Sequence, residues 1–272
     1  MSIARSGNIA RILGPKRQQI AALLEGAAPS PTSLKPRGDL VDALRRPKGA
    51  PLRLVTEIKP RSPSVGPLSS ALRPAARALC YARAGACMIS VLTDGPFFGG
   101  SFDDLADCRA ALDAEFGPTR PYLLCKEFIL HRIQLDYALH AGADAVLLIA
   151  RIVTADELND LAQAAWERGL EPLIEVYTHD ELALANAVGA KLVGVNARDL
   201  DTLEMHAVQA ADVLSKIETT RVAVHLSGLR AANDVADVAR GRADAALIGE
   251  ALMRRDDPTE LLTEMLRAAS SI

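Results

Sequence analysis

The sequence lacks the features of several protein classes. Its formal net charge is −3, so it carries no basic field of the kind that attracts nucleic acid. No stretch approaches the roughly 18 apolar residues of a membrane-spanning helix, and no signal-peptide core is present. These absences argue against nucleic-acid and membrane partners, and they leave a small molecule as the expected ligand.

Cysteine is also scarce. The four cysteines, Cys80, Cys87, Cys108 and Cys125, are not arranged in any Cys-x-x-Cys pair. Zinc sites and disulfide frameworks both rely on clustered cysteines, so we predict no metal site and reduced, buried thiols in a cytoplasmic protein. The first acidic residue, Glu25, follows several basic residues, and a transit peptide is therefore the alternative to a cytoplasmic location.

Eight short apolar runs dominate the rest of the chain, and polar residues or glycines follow them. Strands buried on both faces read as continuous apolar runs, and parallel strands need helical crossovers. The runs begin about 20 to 34 residues apart, which is the repeat of a (β/α)₈ TIM barrel with its site at the carboxyl ends of the strands. The runs are 54–55, 88–92, 122–124, 145–149, 172–174, 192–195, 222–224 and 245–248.

Local signals predict where helices begin and end. Glycines 85, 142 and 189 are expected to end helices, and the patterns Thr154-x-x-Glu157 and Thr178-x-x-Glu181 predict capping boxes. Asp257-Pro258 predicts the start of the last helix. An amphipathic helix over residues 9–24 and a loop over residues 26–38 precede the barrel. We therefore expect a helical extension over residues 1–50 and a barrel over residues 51–272, in a single domain.

Lysine is rare, but Lys59 and Lys126 both follow predicted strands. An ammonium group is a useful acid only if its pKa falls from about 10.4 towards neutrality. Inward side chains of a barrel form layers from alternate strands, and Glu57, Lys126, Glu175 and Leu226 are expected at similar heights. Carboxylates and ammonium groups on separate strands suit acid and base steps. The alternative is an ion network that only closes the top of the barrel.

The last two strands end in small residues. Ser227-Gly228 and Gly249-Glu250 expose backbone N–H groups that are suited to a phosphate, although they are also compatible with simple tight turns. Asn196 and Arg198 are candidates for binding a carboxylate or hydroxyl group. Arg198 and Asp199 are equally compatible with a surface ion pair. A phosphorylated sugar is therefore the expected ligand.

Longer motifs occur in a fixed order over residues 54–266. They are Glu57-Ile58-Lys59 with Ser62-Pro63-Ser64, Ile89-Ser90-Val91-Leu92-Thr93 with Phe98-x-Gly100-Ser101, Lys126-x-Phe128-Ile129, Gly142-Ala143-Asp144-Ala145-Val146-Leu147-Leu148-Ile149, Leu173-Ile174-Glu175-Val176, Gly194-Val195-Asn196-x-Arg198-Asp199-Leu200, Ser227-Gly228 and Ile248-Gly249-Glu250-x-Leu252-Met253. This series resembles the indole-3-glycerol phosphate synthase family of tryptophan biosynthesis, whose fold is a barrel of the ribulose-phosphate-binding type.

The resemblance implies a lyase that closes a ring with decarboxylation and dehydration of an anthranilate-bearing 1-deoxyribulose 5-phosphate. It implies no metal and no organic cofactor. Lys126 resembles the general acid of the ring closure. Lys59 and Glu57 resemble the acid–base pair of the dehydration, and Glu175 resembles the group that stabilises the cationic intermediate.

The resemblance also implies the substrate contacts. Asn196 and Arg198 are expected to orient the substrate, and Glu250 is expected to bind phosphate through its backbone N–H. For Leu148, as for Pro63, Phe98 and Phe128, core packing is the alternative to a place in the ring pocket. The remaining expected contacts are Pro63, Phe98 and Phe128 around the aromatic ring, Ser227, Gly228 and Gly249 at the phosphate, and Ser62 as a further substrate-binding residue.

One position departs from the family pattern. Leu226 stands where the family has glutamate, directly before Ser227-Gly228. A missing carboxylate should lower the pKa values of Lys59 and Lys126, and we expect slower turnover or a shifted pH optimum. Two other functions remain open, namely phosphoribosylanthranilate isomerase and a ligand-binding subunit without turnover. The sequence does not decide between a monomer and an association with other enzymes of tryptophan biosynthesis.

Overall fold

The fold is a closed barrel of eight parallel strands surrounded by helices. The computed structural model describes residues 7–26, 29, 32, 34–62 and 65–270. The barrel strands are β1 (Arg53–Ile58), β4 (Met88–Leu92), β5 (Tyr122–Lys126), β6 (Ala145–Ile149), β7 (Glu171–Val176), β8 (Leu192–Val195), β9 (Val222–His225) and β10 (Ala245–Ile248). They confirm the eight predicted runs and the predicted fold. A short antiparallel pair of strands, β2 (Arg61–Ser62) and β3 (Gly66–Pro67), follows β1 in the chain and was not predicted.

Helices connect successive strands. The helices of the described residues are α1 (Asn8–Glu25), α2 (Leu40–Leu44), α3 (Pro74–Ala84), α4 (Gly95–Phe98), α5 (Phe102–Phe116), α6 (Arg132–His140), α7 (Ala155–Glu167), α8 (His179–Val188), α9 (Ala207–Ser215), α10 (Ala232–Ala239), α11 (Glu250–Met253) and α12 (Thr259–Ala269). None of them is long and apolar enough to cross a membrane.

The predicted helix signals are largely confirmed. Thr154 forms a complete capping box at α7, and Gly85 and Gly189 take left-handed conformations after α3 and α8. Thr178 caps α8, but the expected capping box is incomplete because the Glu181 carboxylate accepts from the N–H of Tyr177 instead. The helix α12 begins one residue later than expected, with Pro258 at its N-cap.

The core is continuous between the strands and the surrounding helices. Ile9, Leu13, Leu40 and Leu44 of the first two helices belong to the same buried cluster as the barrel strands. Helix α1 confirms the predicted amphipathic segment. Within residues 26–38, the described residues form no helix or strand, as expected. The four cysteines are free thiols, but only Cys108 and Cys125 are fully buried, so the prediction of burial is wrong for the other two.

Candidate active site

The carboxyl ends of the strands surround a cavity of about 930 Å³. Residues that are far apart in the sequence meet there because parallel strands end at the same face of the barrel. Most of the predicted site residues line the cavity, namely Glu57, Lys59, Ser62, Phe98, Lys126, Phe128, Glu175, Asn196, Arg198, Ser227, Gly228, Gly249 and Glu250.

Two predicted residues are not among them. Pro63 lies outside the described residues. Leu148 is buried but does not line the cavity, whereas its neighbours Leu147 and Ile149 do. Ile149 pairs in register with Glu175, which points into the cavity, and successive side chains of a strand alternate between faces. Leu148 therefore points to the opposite face, and its assignment to the ring pocket is wrong.

A charged group occupies the centre of the site. The carboxylate of Glu57 lies 2.8 Å from Nζ of Lys59 and 2.9 Å from Nζ of Lys126. Burial alone would raise the pKa of Glu57, but the two ammonium groups outweigh burial and lower the pKa to about 2. Glu57 is therefore ionised at neutral pH, and it holds two lysines that come from the ends of different strands.

The pKa of Lys126 is raised, whereas the sequence analysis expected a useful acid to have a lowered pKa. Burial would lower the pKa of Lys126, but the negative charges of Glu57 and Glu175 outweigh that effect and raise the pKa above its usual value. The expected lowering towards neutrality is therefore wrong. Because its pKa is raised, Lys126 is protonated at neutral pH.

Hydrogen bonds connect three further polar residues. The amide nitrogen of Asn196 donates to Glu175 over 2.9 Å, and the amide oxygen accepts from the Ser227 hydroxyl over 2.7 Å. The same oxygen accepts from the backbone N–H of Arg198, which fixes the orientation of the amide. Burial raises the pKa of Glu175, and Lys126 and Asn196 offset this only in part. Asp199 pairs with Arg151 rather than with Arg198, which leaves Arg198 at the cavity.

An apolar wall faces these charges. The rings of Phe98 and Phe128 lie 6.0 Å apart in a tilted arrangement. Phe98 ends the short helix α4, whose N-cap Asp94 accepts hydrogen bonds from the N–H groups of Phe97 and Phe98. Ile9 and Ile12 of α1 also line the cavity. The wall has the size and chemistry to hold a flat aromatic ring.

The opposite side of the cavity is formed by the turns after β9 and β10. A Cβ atom on Gly249 would collide with the Glu57 carboxylate, so only glycine allows this close approach. Glu250 begins α11, and its carboxylate pairs with Arg254 over 2.9 Å. The guanidinium offsets the negative charge of the Glu250 side chain, and turns of small residues suit the binding of an anion by backbone N–H groups.

The sequence did not indicate several other residues of the cavity. Asn8 and Arg11 of α1 line it, as do Arg230 and Arg255 after β9 and β10. Exposed arginines are common on helices and loops, and no local pattern distinguishes these from the others. Among the described residues, no group of three or more His, Cys, Asp or Glu side chains could hold a metal ion.

Comparisons with known proteins agree with this geometry. A model of the indole-3-glycerol phosphate synthase family matches residues 9–265. An indole-3-glycerol phosphate synthase of Opitutus terrae is 36% identical over 94% of this chain and 93% of the relative. One of Rhodopirellula baltica is 41% identical over 80% of this chain and 81% of the relative.

Solved structures agree at the level of fold. A 3-hexulose-6-phosphate synthase from Salmonella typhimurium gives a TM-score of 0.62 at 15% identity, over 80% of this chain and 98% of that one. A thiamine phosphate pyrophosphorylase from Pyrococcus furiosus gives 0.56 at 16% identity, over 80% of this chain and 95% of that one. The family model and the sequence relatives cover nearly the whole length, and this chain belongs to the indole-3-glycerol phosphate synthase family.

Proposed function

We propose that the chain catalyses indole-3-glycerol phosphate synthesis from 1-(2-carboxyphenylamino)-1-deoxy-D-ribulose 5-phosphate. The ring carbon that bears the carboxylate attacks the ribulose carbonyl carbon and forms a carbon–carbon bond. Carbon dioxide leaves and restores the aromatic ring. The former carbonyl oxygen then leaves as water, and loss of a proton completes the indole.

The observation that carries this proposal is the ammonium group of Lys126 at the mouth of the barrel, paired with Glu57 and within reach of the negative charge of Glu175. The raised pKa of Lys126 keeps it protonated at neutral pH, so it can donate a proton to the carbonyl oxygen as that oxygen becomes basic. Glu57 holds the ammonium group at 2.9 Å and fixes its direction. Placement on a strand end gives the rigidity that a positioned acid needs.

The second ammonium group serves the dehydration. Lys59 protonates the departing hydroxyl. Glu57, whose Oε1 lies 2.8 Å from Nζ of Lys59, is the base that accepts the proton lost as the indole forms. Glu175 faces the positive charge that develops on the anilino nitrogen after ring closure. Its buried carboxylate stabilises that charge more strongly than an exposed one would, because the surroundings have a low dielectric constant.

The two ends of the cavity fit the two ends of this substrate. Phe98 and Phe128 provide the apolar wall for the anthranilate ring, and Ser62 lines the same cavity. Ser227, Gly228, Gly249 and Glu250 provide the turns for the phosphate on the opposite side. Asn196 and Arg198 lie at the cavity and orient the substrate.

The isomerase alternative is less compatible with the cavity. Its reaction typically uses a cysteine and an aspartate. The described residues that line the cavity include neither a cysteine nor an aspartate. The nearest thiol by sequence, Cys125, precedes Lys126 but is buried, and burial raises its pKa to about 12.

Organisation and location are part of the proposal. We assign residues 1–50 to the helical extension and residues 51–272 to the barrel, as the sequence predicts, and the buried contacts of α1 and α2 with the barrel support one domain. We place the reaction in the cytoplasm, without metal or organic cofactor.

The test is continuous indole fluorescence after the purified protein is mixed with the substrate. The natural sequence is expected to form product, and Lys126→Met is expected to lose on the order of 10²–10⁴-fold in kcat. Lys216→Met is the matched control, because Lys216 is exposed and outside the cavity. Substrate binding without product in the natural sequence would favour the ligand-binding subunit instead.

A further inference from the structure

The N-terminal helix carries a lysine in an unusual place. Lys16 of α1 is only 3% exposed, and its Nζ lies 2.7 Å from Oδ2 of Asp94 and 2.7 Å from Oε1 of Glu127. Both carboxylates are buried as well. A lysine is rarely buried unless it is paired, so this ammonium group is held by two charges from two different loops of the barrel.

Each carboxylate belongs to a segment that carries part of the site. Asp94 caps α4 through the N–H groups of Phe97 and Phe98. Glu127 directly follows Lys126, and its carboxylate accepts from the N–H of Phe128 over 2.7 Å. The two segments therefore determine the positions of the Phe98 and Phe128 rings and of Lys126, the proposed general acid.

The charge balance makes Lys16 essential to this arrangement. Burial raises the pKa of Glu127, only partly offset by Lys16, and Asp94 adds a like charge nearby. The hydroxyl of Thr93 is 3.3 Å from the other oxygen of Glu127. Without the ammonium group, two buried carboxylates would face each other. Either the two segments would move apart, or one carboxylate would take up a proton.

We propose that Lys16 is a positioning residue, whose ammonium group holds together the loop of Phe98 and the strand end that carries Lys126 and Phe128. This inference rests on the proposed function, and it makes α1 a working part of the site. A displacement of about 1 Å in a catalytic group can cost on the order of 100-fold in rate.

The experiment compares four proteins in the fluorescence assay, at a temperature where circular dichroism shows each of them folded. They are the natural sequence, Lys16→Met, the double variant Lys16→Met with Glu127→Gln, and Leu13→Ala. Leu13 is buried in the same helix but does not line the cavity, so its truncation weakens α1 packing and leaves the three charges in place.

We expect Lys16→Met to reduce kcat/KM by roughly 100-fold. The double variant should recover about tenfold of this loss, because it removes the facing like charges, but should stay below the natural sequence. Leu13→Ala should stay within about threefold of the natural sequence once folded. Equal losses in Lys16→Met and Leu13→Ala, or a double variant no better than Lys16→Met, would overturn the proposal and leave Lys16 a stabilising residue only.

Two further outcomes are distinguishable. If Lys16→Met does not fold, the double variant is compared with Leu13→Ala, and equal kcat/KM values would again contradict the proposal.

If the natural sequence forms no product, the proposed function fails. Substrate affinity, measured by quenching of the substrate's anthranilate fluorescence, then replaces turnover. Lys16→Met is expected to weaken binding and the double variant to restore part of it, whereas unchanged affinity would overturn the inference.

Discussion

At the scale of single residues, Leu226 changes the chemical character of the cavity. It is 2% exposed and lies against Gly194, where a Cβ atom would come within 2.5 Å of the leucine side chain. The resemblance to the family implies a glutamate at this position, where this chain has an apolar group. The positive charges of Lys59 and Lys126 therefore face the carboxylates of Glu57 and Glu175, and position 226 adds no third carboxylate.

We predict that Leu226→Glu increases turnover over at least part of the pH range, by roughly tenfold for a pKa change of one unit. A new carboxylate stabilises the charged form of nearby ammonium groups and raises their pKa values, so the alkaline limit of activity should move to higher pH. The pH–rate profile checks this, and Leu226→Gln provides the matched side chain without charge. A rate that is unchanged or lower at every pH would contradict the prediction.

At the scale of elements, the two ends of each strand have different tasks. Asp144, just before β6, is fully buried at the end opposite the cavity. Its carboxylate pairs with Arg120 over 2.6 Å and accepts from the N–H of Leu123 over 2.8 Å. This face of a barrel serves stability, whereas the carboxyl ends of the strands serve catalysis.

Asp144→Asn is therefore expected to reduce the free energy of unfolding by about 3–5 kcal/mol, because it leaves the buried guanidinium of Arg120 without its main counter-charge. The kcat of the folded fraction should not change. Urea unfolding and the fluorescence assay measure the two quantities. Asp160→Asn is the control, since its ion pair with Arg132 is about half exposed, and the loss of such a surface pair should change the free energy of unfolding much less. A loss of kcat in folded Asp144→Asn would contradict this separation of tasks.

The sequence predicted elements better than it predicted side-chain directions. The eight strands were recognisable because they are buried on both faces and apolar throughout. The same uniformity hides the inward face, since a run such as 145–149 has no polar alternation, and this explains the error at Leu148. Glycine and threonine signals at helix ends were reliable because they act locally.

Contacts between distant segments were not predictable in this way. Lys16 lies in an amphipathic helix, where a lysine usually faces solvent, and its partners Asp94 and Glu127 are far away in the sequence. The helix α4 has four residues and the β2–β3 hairpin has two residues in each strand, which is too short for a period to be visible. The raised pKa of Lys126 likewise depends on a spatial arrangement of charges.

At the scale of the whole molecule, the charge distribution is asymmetric. The chain has a net charge of −3, but the cavity lining has more cationic than anionic side chains. The cationic ones are Arg11, Lys59, Arg61, Lys126, Arg198, Arg230, Arg254 and Arg255, and the anionic ones are Glu57, Glu127, Glu175 and Glu250. Such a mouth should attract a substrate that carries both a phosphate and a carboxylate.

Arg11, Arg230 and Arg255 are the rim arginines that test this attraction. All three are exposed, line the cavity and form no ion pair with a carboxylate within the described residues. Electrostatic attraction reaches about 30 Å at 0.01 M salt but only about 8 Å at 0.15 M. We predict that kcat/KM falls roughly tenfold or more over this range, whereas kcat changes little, because salt weakens the approach of the substrate rather than the chemistry.

The triple variant Arg11→Gln, Arg230→Gln and Arg255→Gln should lose most of this salt dependence. Arg17→Gln is the matched control, since Arg17 is exposed on the same helix and does not line the cavity. An equal salt dependence in the triple variant and the natural sequence would show that these arginines do not steer the substrate.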